Sequence, residues 1–307
     1  MKKVATLLAA LMLMTAAFAG CGDTGSNSSA AETSTSSTVS ETSASESESS
    51  SEAAGDETSS EASAAETGGY GEFTTVEEGK LIMATNAQFP PYELVSDGEG
   101  FNGTGFEGID IEIASAIADK LGLELQIDDM DFDSALVAVQ NDAADVVLAG
   151  LSYSEERDEV LDFTDSYATG VQVVIVKEDS DVTMDNLGEK MIGTQRGTTG
   201  YIYASDTPEN GGYGEDHVSA YDNGATAVQA LVNGQVDAVI IDEAPAKEYV
   251  AANDGLTILP GNWVEEQYCA AVNEGNTELL NAINTALNEL MDDGTVQEIL
   301  DKYITAE

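Results

Sequence analysis

Residues 171–176 read VQVVIV, five β-branched residues around a single glutamine, and residues 267–272 read QYCAAV. β-branched side chains are stiff and pack well on a pleated surface, so the first run is expected as a buried strand, and the second, apolar from Tyr268 onward and of strand length, as another. A linker follows the first run as far as Asp185, and beyond it the pattern of strands and helices that preceded the run starts again. The first run therefore carries the chain out of one lobe into a second, and QYCAAV reads as the return crossing. A chain that crosses twice between two lobes leaves a cleft with a hinge at its floor.

Working outward, KLIMAT from Lys80 is expected as the first strand. Ile109, Ile113, Ala116, Ile117 and Leu121 recur at helical spacing, and Gly122 is placed to end that helix. LELQI from Leu123 reads as a strand, Phe132, Leu136 and Val139 as a short helix, and DVVLAG from Asp145 as a third strand. After the crossing come KMIGT from Lys190, the turn GTTGY from Gly197 into a helix, and a helix lined by Ala227, Ala230 and Leu231. VDAVII from Val236 is a strand, and Asp242 opens a helix through Ala246 to Val250. Leu279, Leu280, Ile283, Leu287, Leu290 and Met291 make an amphipathic helix that Gly294 stops before a last one bearing Val296, Ile299 and Leu300. This alternation predicts an α/β protein of two lobes: two mostly parallel sheets flanked by helices, with a two-strand hinge. The expected bounds are residues 70–170 plus 268–307 for lobe 1 and residues 171–267 for lobe 2, the hinge segments lying at its ends.

Lys2 and Lys3 precede an apolar run from Val4 to Leu13 and small residues from Ala16 to Gly20, the pattern of a secretory signal peptide at residues 1–20. Cys21 follows Phe18, Ala19 and Gly20 in a sequence that resembles the lipobox of bacterial lipoproteins, although Phe18 departs from the usual Leu. That resemblance implies acylation at Cys21 and a lipid anchor on the extracytoplasmic face of the cell membrane. Residues 21–69 are rich in Ser, Thr, Ala, Gly and acids, with no Lys or Arg between Lys3 and Lys80. Such a composition cannot bury enough apolar surface to offset ordering entropy, and a disordered, self-repelling tether is expected.

The chain carries 58 acids against 10 bases, a net charge of −48. Ten of the acids lie in the tether and two of the bases precede it, so the remainder carries −40. Nucleic acid is excluded as a partner, because phosphate binding needs clustered bases, and direct docking on anionic lipid is disfavoured for the same reason. Cys21 and Cys269 are the only cysteines, so a mature domain cross-linked by disulfides is ruled out; no metal site and no cofactor are expected, and a monomer is. His217 lies in a Gly- and Asp-rich loop and Cys269 in an apolar run, a surface and a core position respectively.

Arg157 is one of only two arginines, ending GLSYSEER from Gly150. A guanidinium grips a carboxylate through two parallel charge-assisted hydrogen bonds, which makes an anionic ligand the first reading; an ion pair with Asp162 or Asp165 is the alternative. TNAQFPPYE, GIDIEIASAIADKLG, MDFDSALVAV, DVVLAGLSYSEERDEVLDFTDSY, IGTQRGTTGY, DAVIIDEAPA and NELMDDGTVQEILDKY, in this order, resemble the polar amino acid-binding proteins of ABC transporters, solute-binding protein family 3. The resemblance spans Lys80 to the end and implies a periplasmic-binding-protein type 2 fold that closes on one L-amino acid and delivers it to a permease.

By the same resemblance Arg157 clamps the α-carboxylate, with Thr199 and the turn before it as the second lobe's contact. Asp242 receives the α-ammonium at the carboxyl end of a strand, where open α/β sheets place ligands, and Gly150 and Ser152 add further ammonium and carboxylate partners. Phe89, Tyr92 and Phe132 match rings that enclose the ligand side chain, Phe132 being equally readable as core. Asn86 stands where several relatives carry an acid, Gln195 where glutamine binders carry lysine, and Ile241 where they carry histidine. Each replaces a charge or titrating group with a neutral one, so a polar or uncharged ligand side chain is expected rather than Arg, Lys, Glu or Asp. Two other classes share the fold: a sensing module acting with a partner protein, and a cyclohexadienyl dehydratase-like enzyme, for which Glu93 and Glu107 are the acids in the right region.

Overall fold

The computed structural model describes residues 69–304; the leader, Cys21 and nearly all of the expected tether lie outside the described residues. β1 (Lys80–Thr85) is buried along all but its first residue and is an interior strand of the first sheet. A small antiparallel sheet of β2 (Gln88–Phe89), β3 (Glu93–Val95) and β4 (Phe106–Glu107) follows, which the Pro- and Gly-rich sequence there does not announce. α1 (Ile109–Leu121) has Asp110 and Glu112 in its first turn and Lys120 in its last, matching the helix dipole, and Gly122 ends it at φ 71°. β5 (Glu124–Asp129), α2 (Phe132–Gln140), β6 (Val146–Val147) and β7 (Leu161–Phe163) complete the outward half of the first lobe. Of DVVLAG only Val146 and Val147 ladder, because Gly150 turns the chain at φ 52°.

β8 (Ala168–Lys177), ten residues long, contains VQVVIV and makes the outward crossing. The second lobe is then built from β9 (Ile192–Gln195), α3 (Thr199–Ser205), β10 (Val218–Tyr221), α4 (Gly224–Val232), β11 (Ala238–Asp242), α5 (Glu243–Ala252) and β12 (Leu256–Ile258). The return strand β13 (Val264–Tyr268) starts before the stretch read from sequence, and it ladders antiparallel with β8 from Val264 opposite Gln172 to Tyr268 opposite Ala168. It then leaves β8: Cys269 N–H donates to the Leu151 carbonyl, and β14 (Ala271–Asn273) joins the first sheet. α6 (Thr277–Asp292) and α7 (Thr295–Tyr303), separated at Gly294, pack back on the first lobe beside α1.

The first sheet runs β5-β1-β6-β14-β7 and the second β10-β9-β11-β8-β12, with β13 also on β8. Strands joined through helices pair in parallel (β1 with β5 and β6, β9 with β10 and β11), whereas every pairing of β8, β13 and β14 is antiparallel. The sheets are therefore mixed, where alternating strands and helices alone led us to expect mainly parallel ones. A chain that passes between lobes in extended form adds strands without a crossover helix, and such strands pair antiparallel.

Gly108 ties the small sheet to α1. Its φ is 132°, and a Cβ there would sit 2.2 Å from the Tyr92 carbonyl oxygen and 2.9 Å from the Glu93 nitrogen. Both atoms are backbone and cannot swing aside. Gly108→Ala is expected to cost about 2–5 kcal/mol through strain and overpacking, lowering Tm by about 5–15 °C for a domain of this size. A calorimetric Tm equal to that of the wild type would show that the junction relaxes freely.

Candidate functional site

The two lobes meet in a narrow crevice lined by residues of both. Arg157, in the turn after β6, is buried, and its Nη1 donates to the Ser152 carbonyl (2.6 Å) and its Nη2 to the Gly197 carbonyl of the second lobe (2.9 Å). The guanidinium lies 5.5 Å from the centroid of Phe132, the geometry of a cation–π contact. Burial draws its pKa down, and Glu266 is the foremost charge opposing that. Among the described residues no carboxylate forms an ion pair with it. Asp162 instead accepts from the Gly275 N–H, and Asp165 from Asn284 and Asn288. The alternative of a surface ion pair is thereby removed.

Asp242 closes β11 at the N-cap position of α5, yet its side chain caps nothing. Oδ1 accepts from the Tyr268 hydroxyl and Oδ2 from Gln172 Nε2 at 2.8 Å. Burial raises its pKa to about 7; the Tyr268 bond opposes this and the charge of Glu266 adds to it. Gly150 donates its N–H to Asp110 Oδ2, and the Phe89 ring packs so close that a Cβ at Gly150 would meet Phe89 Cε1 at 2.6 Å. Asn86 and Gln195 face each other across the crevice, Gln195 Nε2 donating to Asn86 Oδ1 at 3.1 Å while Asn86 Nδ2 donates to the Met130 carbonyl. Thr198, not Thr199, caps α3, accepting from the Tyr201 N–H.

Arg157, Asp242, Thr199, Ser152, Gly150, Asn86, Phe89, Phe132 and Gln195 thus come together on one crevice wall or the other, and Ile241 joins them. Tyr92 does not: it lies behind Phe89, ring centroids 5.8 Å apart, and meets Tyr268 edge-on at 5.1 Å. The motif FPPYE places two aromatics three residues apart, and only the first reaches the crevice. Glu107 is exposed on β4 and takes no part.

Three residues that sequence reasoning left out of the binding set are central. Glu93 lines the crevice with no exposure, and among the described residues no donor reaches either of its carboxylate oxygens. The neighbouring Asp110 can bond it only when one of the pair holds a proton, and burial followed by the charge of Asp110 raises the Glu93 pKa well above the usual range. Gln172 is the one polar residue in VQVVIV and lines the crevice; Glu266 is the inward acid of β13, alternating with exposed Glu265 and Gln267. The period of two along β13, counted back from buried Tyr268, was the signal for Glu266.

Residues 81–306 match the model of bacterial extracellular solute-binding proteins, family 3, and the chain belongs to that family. The arginine-binding extracellular protein ArtP of Bacillus subtilis (strain 168) is 34% identical over 232 residues, 74% of this chain and 87% of its own. The arginine-bound form of truncated ArgBP from T. maritima superposes with a TM-score of 0.62 at 37% identity, covering 69% of this chain and 96% of that one. An ancestral arginine-binding protein bound to glutamine gives a TM-score of 0.67 at 37% identity, covering 75% of this chain and all of its own. No helix among the described residues is long and apolar enough to cross a membrane.

Because the Glu93 pKa is raised in the fold, the folded state holds more protons than the unfolded one between the two pKa values, and stability falls as pH rises through that window. Asp110, raised to about 6, and Asp242, raised to about 7, act in the same direction. Glu93→Gln should therefore melt above the wild type near pH 8, the gap shrinking towards about pH 5. A gap that widens on acidification in calorimetric scans would contradict this.

Proposed function

We propose that the protein captures an L-amino acid between its lobes and presents it to the permease of an ABC importer. The observation that carries this reading is one crevice holding a buried guanidinium that has no carboxylate partner among the described residues and, with it, a buried acid at a strand's carboxyl end. That is the complement of a zwitterion: Arg157 takes the α-carboxylate, Asp242 the α-ammonium, and Gly150, Ser152 and Thr199 complete the grip. Phe89 and Phe132 enclose the ligand's stem, their rings supplying apolar burial.

For the side chain, we infer a preference for a cation, and a guanidinium above all. Glu93 supports this, since a buried carboxylate without a donor is costly until a positive group reaches it. The similarity to an arginine-binding protein of Bacillus subtilis and to the arginine-bound ArgBP of T. maritima supports it as well. The expectation of an uncharged side chain rested on Asn86, Gln195 and Ile241, and it weighed Glu93 only as a catalytic acid. A neutral amide remains the second reading, because the Asn86 and Gln195 pair offers one donor and acceptor surface and a relative was solved with glutamine.

Anchoring through an acylated Cys21, with residues 22–69 as the spacer and a monomeric binding domain, is the membrane part of the proposal, and it rests on the leader pattern alone. A radiolabelled fatty acid should enter the wild type and not Cys21→Ala.

A thermal-shift screen of the common L-amino acids should show its largest rise with L-arginine, by mass action on the folded form. In titration calorimetry Arg157→Ala should weaken that binding by about 2–5 kcal/mol, since a carboxylate is left buried and unpaired. Glu93→Gln should weaken L-arginine about tenfold or more while leaving L-glutamine nearly unchanged. Equal losses for both ligands would assign Glu93 a structural role, and an unaffected Arg157→Ala would remove the zwitterion reading.

A further inference from the structure

Glu266 is a buried acid behind the crevice that the proposed grip leaves unused. β13 aims it inward, and three donors converge on its Oε2: the Ser152 hydroxyl of the first lobe at 2.7 Å, the Thr199 hydroxyl of the second at 2.9 Å, and Gln172 Nε2 of the crossing strand at 3.2 Å. The same Gln172 nitrogen reaches Asp242 Oδ2 at 2.8 Å, so one amide joins the two carboxylates. Ser152 and Thr199 line the crevice, and Glu266 stands behind them. Its Oε1 is buried with no donor among the described residues.

A hydroxyl has one proton and two lone pairs, and a carboxylate only accepts. With the one proton of each hydroxyl engaged in a hydrogen bond to Glu266 Oε2, neither Ser152 nor Thr199 can donate to a ligand carboxylate. Each can only accept. We infer that Glu266 is a positioning residue that turns the Ser152 and Thr199 hydroxyls, one from each lobe, into acceptors, so that with Asp242 they form a socket selecting for an α-ammonium, while the α-carboxylate is left to Arg157. This rests on the amino-acid reading of the crevice and changes the hydroxyls' role from the carboxylate contact expected of Thr199. It also explains an acid in a lobe crossing where an apolar residue would pack more cheaply: its charge sits at the ammonium end, in a low-dielectric setting where it acts over several ångströms.

The test uses the full chain and two probes, L-arginine and 5-guanidinopentanoate, which is the same molecule without its α-amino group; L-glutamine and its desamino analogue serve as a second pair. Calorimetry on Glu266→Gln should show L-arginine weakened about tenfold or more, with 5-guanidinopentanoate nearly unchanged, so the ratio of the two affinities collapses. Equal weakening of both probes, no change, or tighter binding of both would overturn the inference. Should Glu266→Gln fail to fold, Ser152→Ala carries the same question: a loss confined to the amino acid supports acceptance from the ammonium, and a loss shared by the desamino analogue shows donation to the carboxylate and ends the inference. A wild type that binds neither amino acid removes the ligand reading and this inference together, whereas normal wild-type binding with an unchanged ratio in Glu266→Gln removes the inference alone.

Discussion

The antiparallel ladder between β8 and β13 is the constraint on which the rest depends, since these two strands carry the chain from lobe to lobe and also form the floor of the crevice. Its inward residues are an unusual set for a buried ladder: Gly170, Gln172, Glu266 and Tyr268. Gly170 leaves room for Tyr268, whose ring a Cβ would meet at 2.4 Å, and Tyr268 spends its hydroxyl on Asp242. Tyr268 also bridges to Ser152, so the same residue that ends the return strand aligns the first lobe's contribution to the site. Covalent continuity and site chemistry are thus held by the same few positions.

Around that floor the molecule gathers like charges. Glu93, Asp110, Asp242 and Glu266 are all buried, with Arg157 as the buried guanidinium nearby. Burial raises the pKa values of the first three, and neighbouring negative charge adds to it at Glu93 and Asp242, which means the fold holds them at a cost. Asp110 meets part of that cost through the Gly150 N–H and the Tyr167 hydroxyl, and Asp242 through Tyr268 and Gln172. Among the described residues Glu93 has no comparable donor. Strain of this kind concentrated in one crevice, while the surrounding cores are conventionally apolar, is the pattern of a site kept for binding at the expense of stability.

Beyond the strands, the lobes touch through a small number of polar contacts. Asn223 Nδ2 donates to Gln88 Oε1, the Tyr249 hydroxyl to the Gln88 carbonyl, Gln195 to Asn86, and Arg157 to Gly197. Each such bond contributes on the order of 1 kcal/mol net, because water replaces it when the lobes part. A ligand that bonds both lobes at once adds its own contacts to these and so favours the arrangement in which the lobes meet.

Much of this was legible in residue order. β-branched runs bounded by amphipathic stretches locate strands and helices because periodicity is a local property, and Gly122 and Gly294 mark helix ends because glycine takes the left-handed conformation at little cost. Arg157, one of two arginines in an acidic chain, and the Asp that follows VDAVII were legible as crevice candidates, the first because a guanidinium grips a carboxylate and the second because open α/β sheets place ligands where strands end. What the tertiary structure alone decided is which partner each polar group meets. Tyr92 and Phe89 share a motif, but Tyr92 packs edge-on against the Tyr268 ring and only Phe89 reaches the crevice. Glu93 and Glu266 look in sequence like two more acids on a solvated surface, because nothing in the chain order states what lies opposite an inward position. That opposition arises only when strands distant in sequence pair and the second lobe folds over the first.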